Sequence, residues 1–109
     1  FDAVAIRVPT ITGSLSVTTA LVKQKTSVDT VNTVFKNASL SPRWAKVLKV
    51  TEDPIVSSDI IAEPFGAIVD AGLTKVVAGD LVKVFSWYDN EAGYTATLVE
   101  HVRRIAETL

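Results

Sequence analysis

Leu81-Val82-Lys83-Val84-Phe85-Ser86-Trp87-Tyr88-Asp89-Asn90-Glu91-Ala92-Gly93-Tyr94 is the stretch that decides the fold. Its first part, to Tyr88, is rich in β-branched and aromatic residues and reads as a long strand. The run stops at Asp89-Asn90, two residues able to cap a helix, and from about Glu91 to Glu107 the pattern is helical. Tyr94, Leu98, Val102 and Ile105 share one stripe, widened by Val99 and Ala106. Asn90 and Glu91 therefore stand at a strand-to-helix corner, where polar side chains can face a ligand. By residue type alone, Asn90 is a helix N-cap and Tyr94 a core residue.

Upstream, Phe1 to Val8 reads as a strand bounded by Pro9, and Thr12-Gly13 as a turn. Ser14 to Lys25 alternates, with Leu15, Val17, Thr19 and Leu21 on one side, and is predicted to pair antiparallel with the first strand. Ser27 is the predicted N-cap of a helix that buries Val28, Val31, Val34 and Phe35 and ends near Asn37 or Ala38. Val47 to Val50 is a short strand, and Val56 to Asp59 an extended or single-turn segment. Ala67 to Ala71 and Thr74 to Ala78 are strands around Gly72, with a tight turn at Gly79-Asp80. Short links suit hairpins better than crossovers. The expected fold is α+β: a single domain over 1–109, with a mostly antiparallel sheet and helices packed on one face.

The 109 residues carry a formal net charge of −1, 48% hydrophobic and 21% charged residues, which suits one folded domain and offers no electrostatic case for nucleic acid or a membrane surface. No apolar run is long enough to span a bilayer. The absence of cysteine excludes disulfides, thiolate metal sites and thiol catalysis within these residues, and a single histidine excludes a histidine-rich metal site. Phe1 at the start and the absence of methionine lead us to expect a processed, truncated or partial sequence. No Gly-rich phosphate loop follows a strand, so no dinucleotide-binding half is expected here.

Arg7 lies in an otherwise apolar run, Ala5-Ile6-Arg7-Val8-Pro9. Its planar fork suits a phosphate or carboxylate, and an outward-facing position at a sheet edge is the plainer reading. His101 reads as a surface residue. Glu52-Asp53 and Ser57-Ser58-Asp59 read as turn and capping residues, and Trp44 and Trp87 as core or interface anchors.

Four ordered segments carry a resemblance. They are Ala5-Ile6-Arg7-Val8-Pro9-Thr10, Thr51-Glu52-Asp53-Pro54-Ile55-Val56-Ser57-Ser58-Asp59, Leu73 to Val84, and Ser86 to Tyr94. Together they resemble the C-terminal part of the catalytic domain in the phosphorylating, glycolytic glyceraldehyde-3-phosphate dehydrogenases. The resemblance implies that Arg7 contacts substrate and inorganic phosphate, that Asn90 hydrogen-bonds the nicotinamide carboxamide, and that Tyr94 lies close to the nicotinamide. An Asn amide offers both the donor and the acceptor that a carboxamide needs. It implies NAD or NADP as cofactor of a complete, cytoplasmic enzyme, with none bound by this chain alone. The catalytic cysteine, its histidine base and the dinucleotide-binding domain precede the Arg7 segment in that family, and these residues contain neither group, so the chain alone is expected to be inactive. The sequence departs from the family pattern at Ala92, where a large residue is usual, and at Ala96, Gly66-Ala67 and Val17.

In such an enzyme the final helix docks on the cofactor domain. Without it, we expect the apolar stripe to fold back on the sheet or the chain to form a homo-oligomer through the C-terminal helix or the sheet. Two alternatives stay open: a free-standing noncatalytic structural or assembly module of the same fold, and a small phosphate-binding module using Arg7 alone.

Overall fold

The computed structural model describes residues 1–109. Its elements are β1 (Ser14–Leu21), α1 (Val28–Leu40), β2 (Leu48–Thr51), β3 (Ala67–Asp70), β4 (Lys75–Val77), β5 (Leu81–Tyr88) and α2 (Ala92–Ala106). Single 3-10 turns cover Ser57–Ile60 and Ala71–Leu73. The five strands form one sheet in the order β1-β5-β3-β2, with β4 also on β5. All pairings are antiparallel except that of β2 with β3. The expected α+β class and mostly antiparallel sheet hold.

The long β5 organises the sheet, as its composition suggests. Along β1 it sets Leu15 opposite Trp87, Val17 opposite Phe85, and Ala20 opposite Val82, so that each cross-strand row shares a face. β3 is central, and its consecutive residues Ile68 and Val69 are each only 2% exposed, so both faces of this strand are covered. Ile60 of the first 3-10 turn joins them, together with Ala71 and Val82. Trp87 donates its indole N–H to the buried carboxylate of Asp70 at 3.1 Å.

α1 begins where the sequence places it. The Ser27 hydroxyl accepts from the Thr30 amide at 3.2 Å, meeting one of the first-turn donors that a helix leaves unpaired. The helix lies over the sheet face that carries Thr18, Ala20, Val82, Val84 and Val69, leaving between them an open apolar cleft of about 750 Å³. Val34 was expected in the core, yet it is 61% exposed, because it sits at this cleft and nothing closes over it. α2 meets the sheet through the segments that lead into β2 and β3. Gly93 lies against Phe65, and Thr97 against Gly66.

One expectation fails, and one of the two outcomes expected for α2 is not seen. Phe1 to Val8 is not a strand: it has no ladder, and residues 1–11 are exposed throughout. A hairpin onto β1 would require Pro9–Gly13 to turn back. Those residues run instead along a cleft whose other side is formed by Ser57, Ser58 and Ile61, with the Gly13 amide bonded to the Asn90 side chain. β1 pairs instead with β5. The α2 stripe does not fold back on the sheet either. Tyr94, Leu98, Val102 and Ile105 are between 46% and 66% exposed.

Candidate functional site

The β5–α2 corner is tied to two distant segments by the side chains of Asp89 and Asn90. Asp89, only 4% exposed, ends β5 with a carboxylate that accepts three backbone N–H bonds. Oδ1 takes those of Glu91 at 2.8 Å and Ala92 at 3.0 Å, and Oδ2 takes that of Ala62 at 2.8 Å. The Glu91 bond foremost, with those of Ala62 and Ala92, holds the carboxyl below its ordinary value, because each favours the ionised form. Ala62 has φ of 64°, a left-handed conformation unusual for a residue with a Cβ, and the Asp89 bond holds it there.

Asp89, then, caps α2. The N-cap reading of Asn90 is corrected: the Asn90 Oδ1 instead accepts from the Gly13 amide at 3.1 Å and the Thr12 hydroxyl at 3.4 Å. The side chain is exposed, and its amide N–H₂ has no protein acceptor. Asn90 thereby joins the end of β5 to the segment that carries Arg7. The structure brings Asn90 to Thr12 and Gly13 and leaves Arg7 itself exposed, outside every ion pair. Thr10, Thr12, Ser57 and Ser58 line a hydroxyl-rich cleft of about 280 Å³ that neither Arg7 nor Asn90 lines. Tyr94, on the first turn of α2, is 66% exposed, so its expected core position is also corrected: nothing packs over the outer side of that helix.

Other expectations resolve on contacts. Asp59 caps its own turn, accepting from the Val56 amide at 2.7 Å, and Glu52 pairs with Lys36 at 2.7 Å. His101 is exposed. Trp87 is anchored on Asp70, while Trp44 is 43% exposed with the Arg43 guanidinium 5.0 Å from its ring centroid. Gly66 has a steric basis: an added Cβ would meet the Thr97 methyl at 3.0 Å and Val47 at 3.2 Å.

Of two organising residues, the sequence offered Asp89 as a capping candidate and missed Glu100. Asp89 had a visible signal, standing three positions before the first residue of α2. Nothing in the sequence assigned a role to Glu100, on α2. Its carboxylate takes Lys46 at 3.0 Å and Arg104 at 3.2 Å, with Arg103 at 3.5 Å, and fastens α2 to the loop before β2. The Lys46 bond foremost, then Arg104 and Arg103, lowers its carboxyl from the ordinary value. No group of side chains could hold a metal ion, and no helix is long and apolar enough to cross a membrane.

Comparison with known proteins bears on the same residues. The family described as "Glyceraldehyde 3-phosphate dehydrogenase, C-terminal domain" matches residues 1–90. The glyceraldehyde-3-phosphate dehydrogenases of Mycobacterium bovis and Mycobacterium leprae are each 45% identical over 108 residues, 99% of this chain and 31% of their own length. That of Thermotoga maritima is 48% identical over 88 residues, 81% of this chain and 26% of its own. The chain thus spans about a third of the length of the curated relatives it matches. With the Arg7 segment, the whole sheet and β5 through Asn90 inside the matched region, the chain belongs to the glyceraldehyde-3-phosphate dehydrogenase family, as a part of its C-terminal domain.

Proposed function

We propose that these residues form the phosphate-facing and nicotinamide-facing side of a phosphorylating glyceraldehyde-3-phosphate dehydrogenase. The complete enzyme would oxidise glyceraldehyde 3-phosphate to 1,3-bisphosphoglycerate in the cytoplasm. The observation that carries this reading is Asn90: its oxygen is anchored by the Gly13 amide, so its N–H₂ points to solvent from a fixed corner. A donor held in this way fits the carbonyl oxygen of a carboxamide. NAD or NADP, once bound largely by a dinucleotide-binding domain, would supply the hydride acceptor. Asn90 would orient the carboxamide, and the exposed ring of Tyr94 would lie against the same group.

Arg7 would bind phosphate. A guanidinium fork can give two parallel N–H bonds to one oxyanion, and the free side chain has no competing acid. No cysteine is present and the one histidine is exposed on α2, so the thiolate nucleophile and its base come from outside these residues, and the chain alone turns over no substrate.

A chimaera tests this: the chain replaces the corresponding part of the 45% identical Mycobacterium bovis enzyme. In an active chimaera, Arg7→Ala raises KM for inorganic phosphate and substrate by roughly tenfold or more, the scale of one lost charge-assisted contact, and leaves KM for NAD unchanged. Asn90→Ala does the reverse. Unchanged constants in both variants would overturn the assignment.

A further inference from the structure

Asn90 is held at both ends. Behind it, the Asp89 carboxylate brackets its backbone by accepting from the Glu91 amide at 2.8 Å and the Ala92 amide at 3.0 Å. In front, its Oδ1 accepts from two consecutive residues, the Gly13 amide at 3.1 Å and the Thr12 hydroxyl at 3.4 Å. The outer torsion of an asparagine is broad, so its rotamer preference does not settle where the amide faces. These two distant donors settle it.

The donors act differently. A backbone N–H can only donate, so the Gly13 amide decides which end of the Asn90 amide meets it: the oxygen stands inward and the N–H₂ outward. One bond still leaves the amide free to pivot about it. The Thr12 hydroxyl meets the same oxygen, has to donate there, and removes that freedom. An amide oxygen has two lone pairs, so both are engaged and Asn90 keeps only donors for a ligand. The support beneath is rigid. Gly13 has φ of 91°, and the Cδ1 of Ile60, a residue 1% exposed, lies 3.0 Å from where a Cβ on Gly13 would stand. The pair Thr12-Gly13 therefore rests on the core, unlike the exposed segment before it.

We propose that Thr12 is a positioning residue for the nicotinamide, acting through Asn90. With the Gly13 amide, its hydroxyl fixes the direction in which Asn90 presents its N–H₂ to the carbonyl oxygen of the carboxamide. Without that hydroxyl the amide swings about the Gly13 bond, and the donor is in line with the ligand for less of the time. A binding group works best when a supporting contact locks it in place beforehand, since less order is then lost on binding. The inference rests on the dehydrogenase reading and adds to it the residue that aims Asn90. The Thr12 bond is neutral, long and solvent-exposed, so its effect belongs at the lower end of the scale for hydrogen bonds.

The test is a fluorescence titration with NAD on the chimaera described above and on its Thr12→Val, Thr12→Ser, Asn90→Ala and doubly substituted Thr12→Val, Asn90→Ala forms. Binding is read directly, so turnover is not required. We expect Thr12→Val, which keeps the shape and removes the hydroxyl, to raise Kd for NAD by about twofold to fivefold. Thr12→Ser should restore it. Thr12→Val should add nothing once Asn90 is alanine, because a residue that acts only through Asn90 has no effect without it. A general weakening of the fold would instead show in both backgrounds. The proposal is overturned by an equal loss in both backgrounds, by a Thr12→Ser form as weak as Thr12→Val, or by an unchanged Kd in Thr12→Val; in each case a weakened Asn90→Ala form leaves the dehydrogenase reading standing. An unchanged Kd in Asn90→Ala would remove that reading, and this inference with it.

Discussion

The carboxylate of Asp89 reaches across to the amide of Ala62 at 2.8 Å, joining the start of α2 to a left-handed residue in the loop before β3. The same carboxylate caps α2 through Glu91 and Ala92, so one side chain sets the angle at which the helix leaves the sheet.

Asp89→Asn should be destabilising in either amide orientation. An amide that keeps its oxygen on Glu91 and Ala92 turns its N–H₂ toward the Ala62 N–H, donor against donor. The urea midpoint at pH 7 should fall while the slope stays unchanged.

The pH dependence follows from Asp89 together with Glu100. Both folded-state values lie below the ordinary carboxylate values, so below pH 5 the unfolded chain binds more protons than the native one. The stability that these groups contribute is fully present above their unfolded values of about 4. It is lost as the pH falls through the lowered folded values. Urea midpoints measured from pH 7 to pH 3 should be level down to about pH 5 and then decline. Asp89→Asn and Glu100→Gln should each flatten that decline.

Gly93→Ala sets helix propensity against packing. Alanine favours a helix by about 1 kcal/mol over glycine. The new Cβ would stand 2.4 Å from the Phe65 carbonyl oxygen, a backbone atom that cannot swing aside. Packing wins, and we expect a net loss of roughly 1–3 kcal/mol in chemical denaturation, as for other overpacked sites.

The β4–β5 hairpin turns through Ala78 and Gly79, with φ of 53° and 80°. Val77 pairs with Leu81, so three residues make the loop, and positive values at its first two are those of a I′ turn, to whose first position alanine is poorly suited. Ala78→Asn should raise stability by about 0.5–1 kcal/mol, since asparagine tolerates this region better. A lower thermal midpoint would contradict the strain argument.

Ile60 is 1% exposed, and its Cδ1 lies close beneath Gly13. Ile60→Ala should cost about 2–5 kcal/mol, the range for truncating a buried aliphatic side chain. It should also loosen the Gly13–Asn90 contact, visible as faster amide exchange at Gly13.

The elements that local chemistry controls were legible along the chain. β5 followed from its β-branched and aromatic run, α1 from the Ser27 cap, and α2 from its stripe, because propensity, capping and periodicity act over a few residues. The four motifs also carried the family. What the sequence could not show is which partner each element finds. Phe1 to Val8 has a strand's composition, but a strand exists only with a ladder, and the commitment of Gly13 to Asn90 sends β1 to β5 instead. Whether Asn90 or Asp89 would cap α2 turned on the distant Ala62 and Gly13 amides, and Glu100 became an anchor only because Lys46 lies across from it. A stripe of apolar residues reads the same whether it is covered or bare. Tertiary structure alone decided that α2 and Phe1 to Val8 stay exposed, since burial belongs to the pair of surfaces and not to either one.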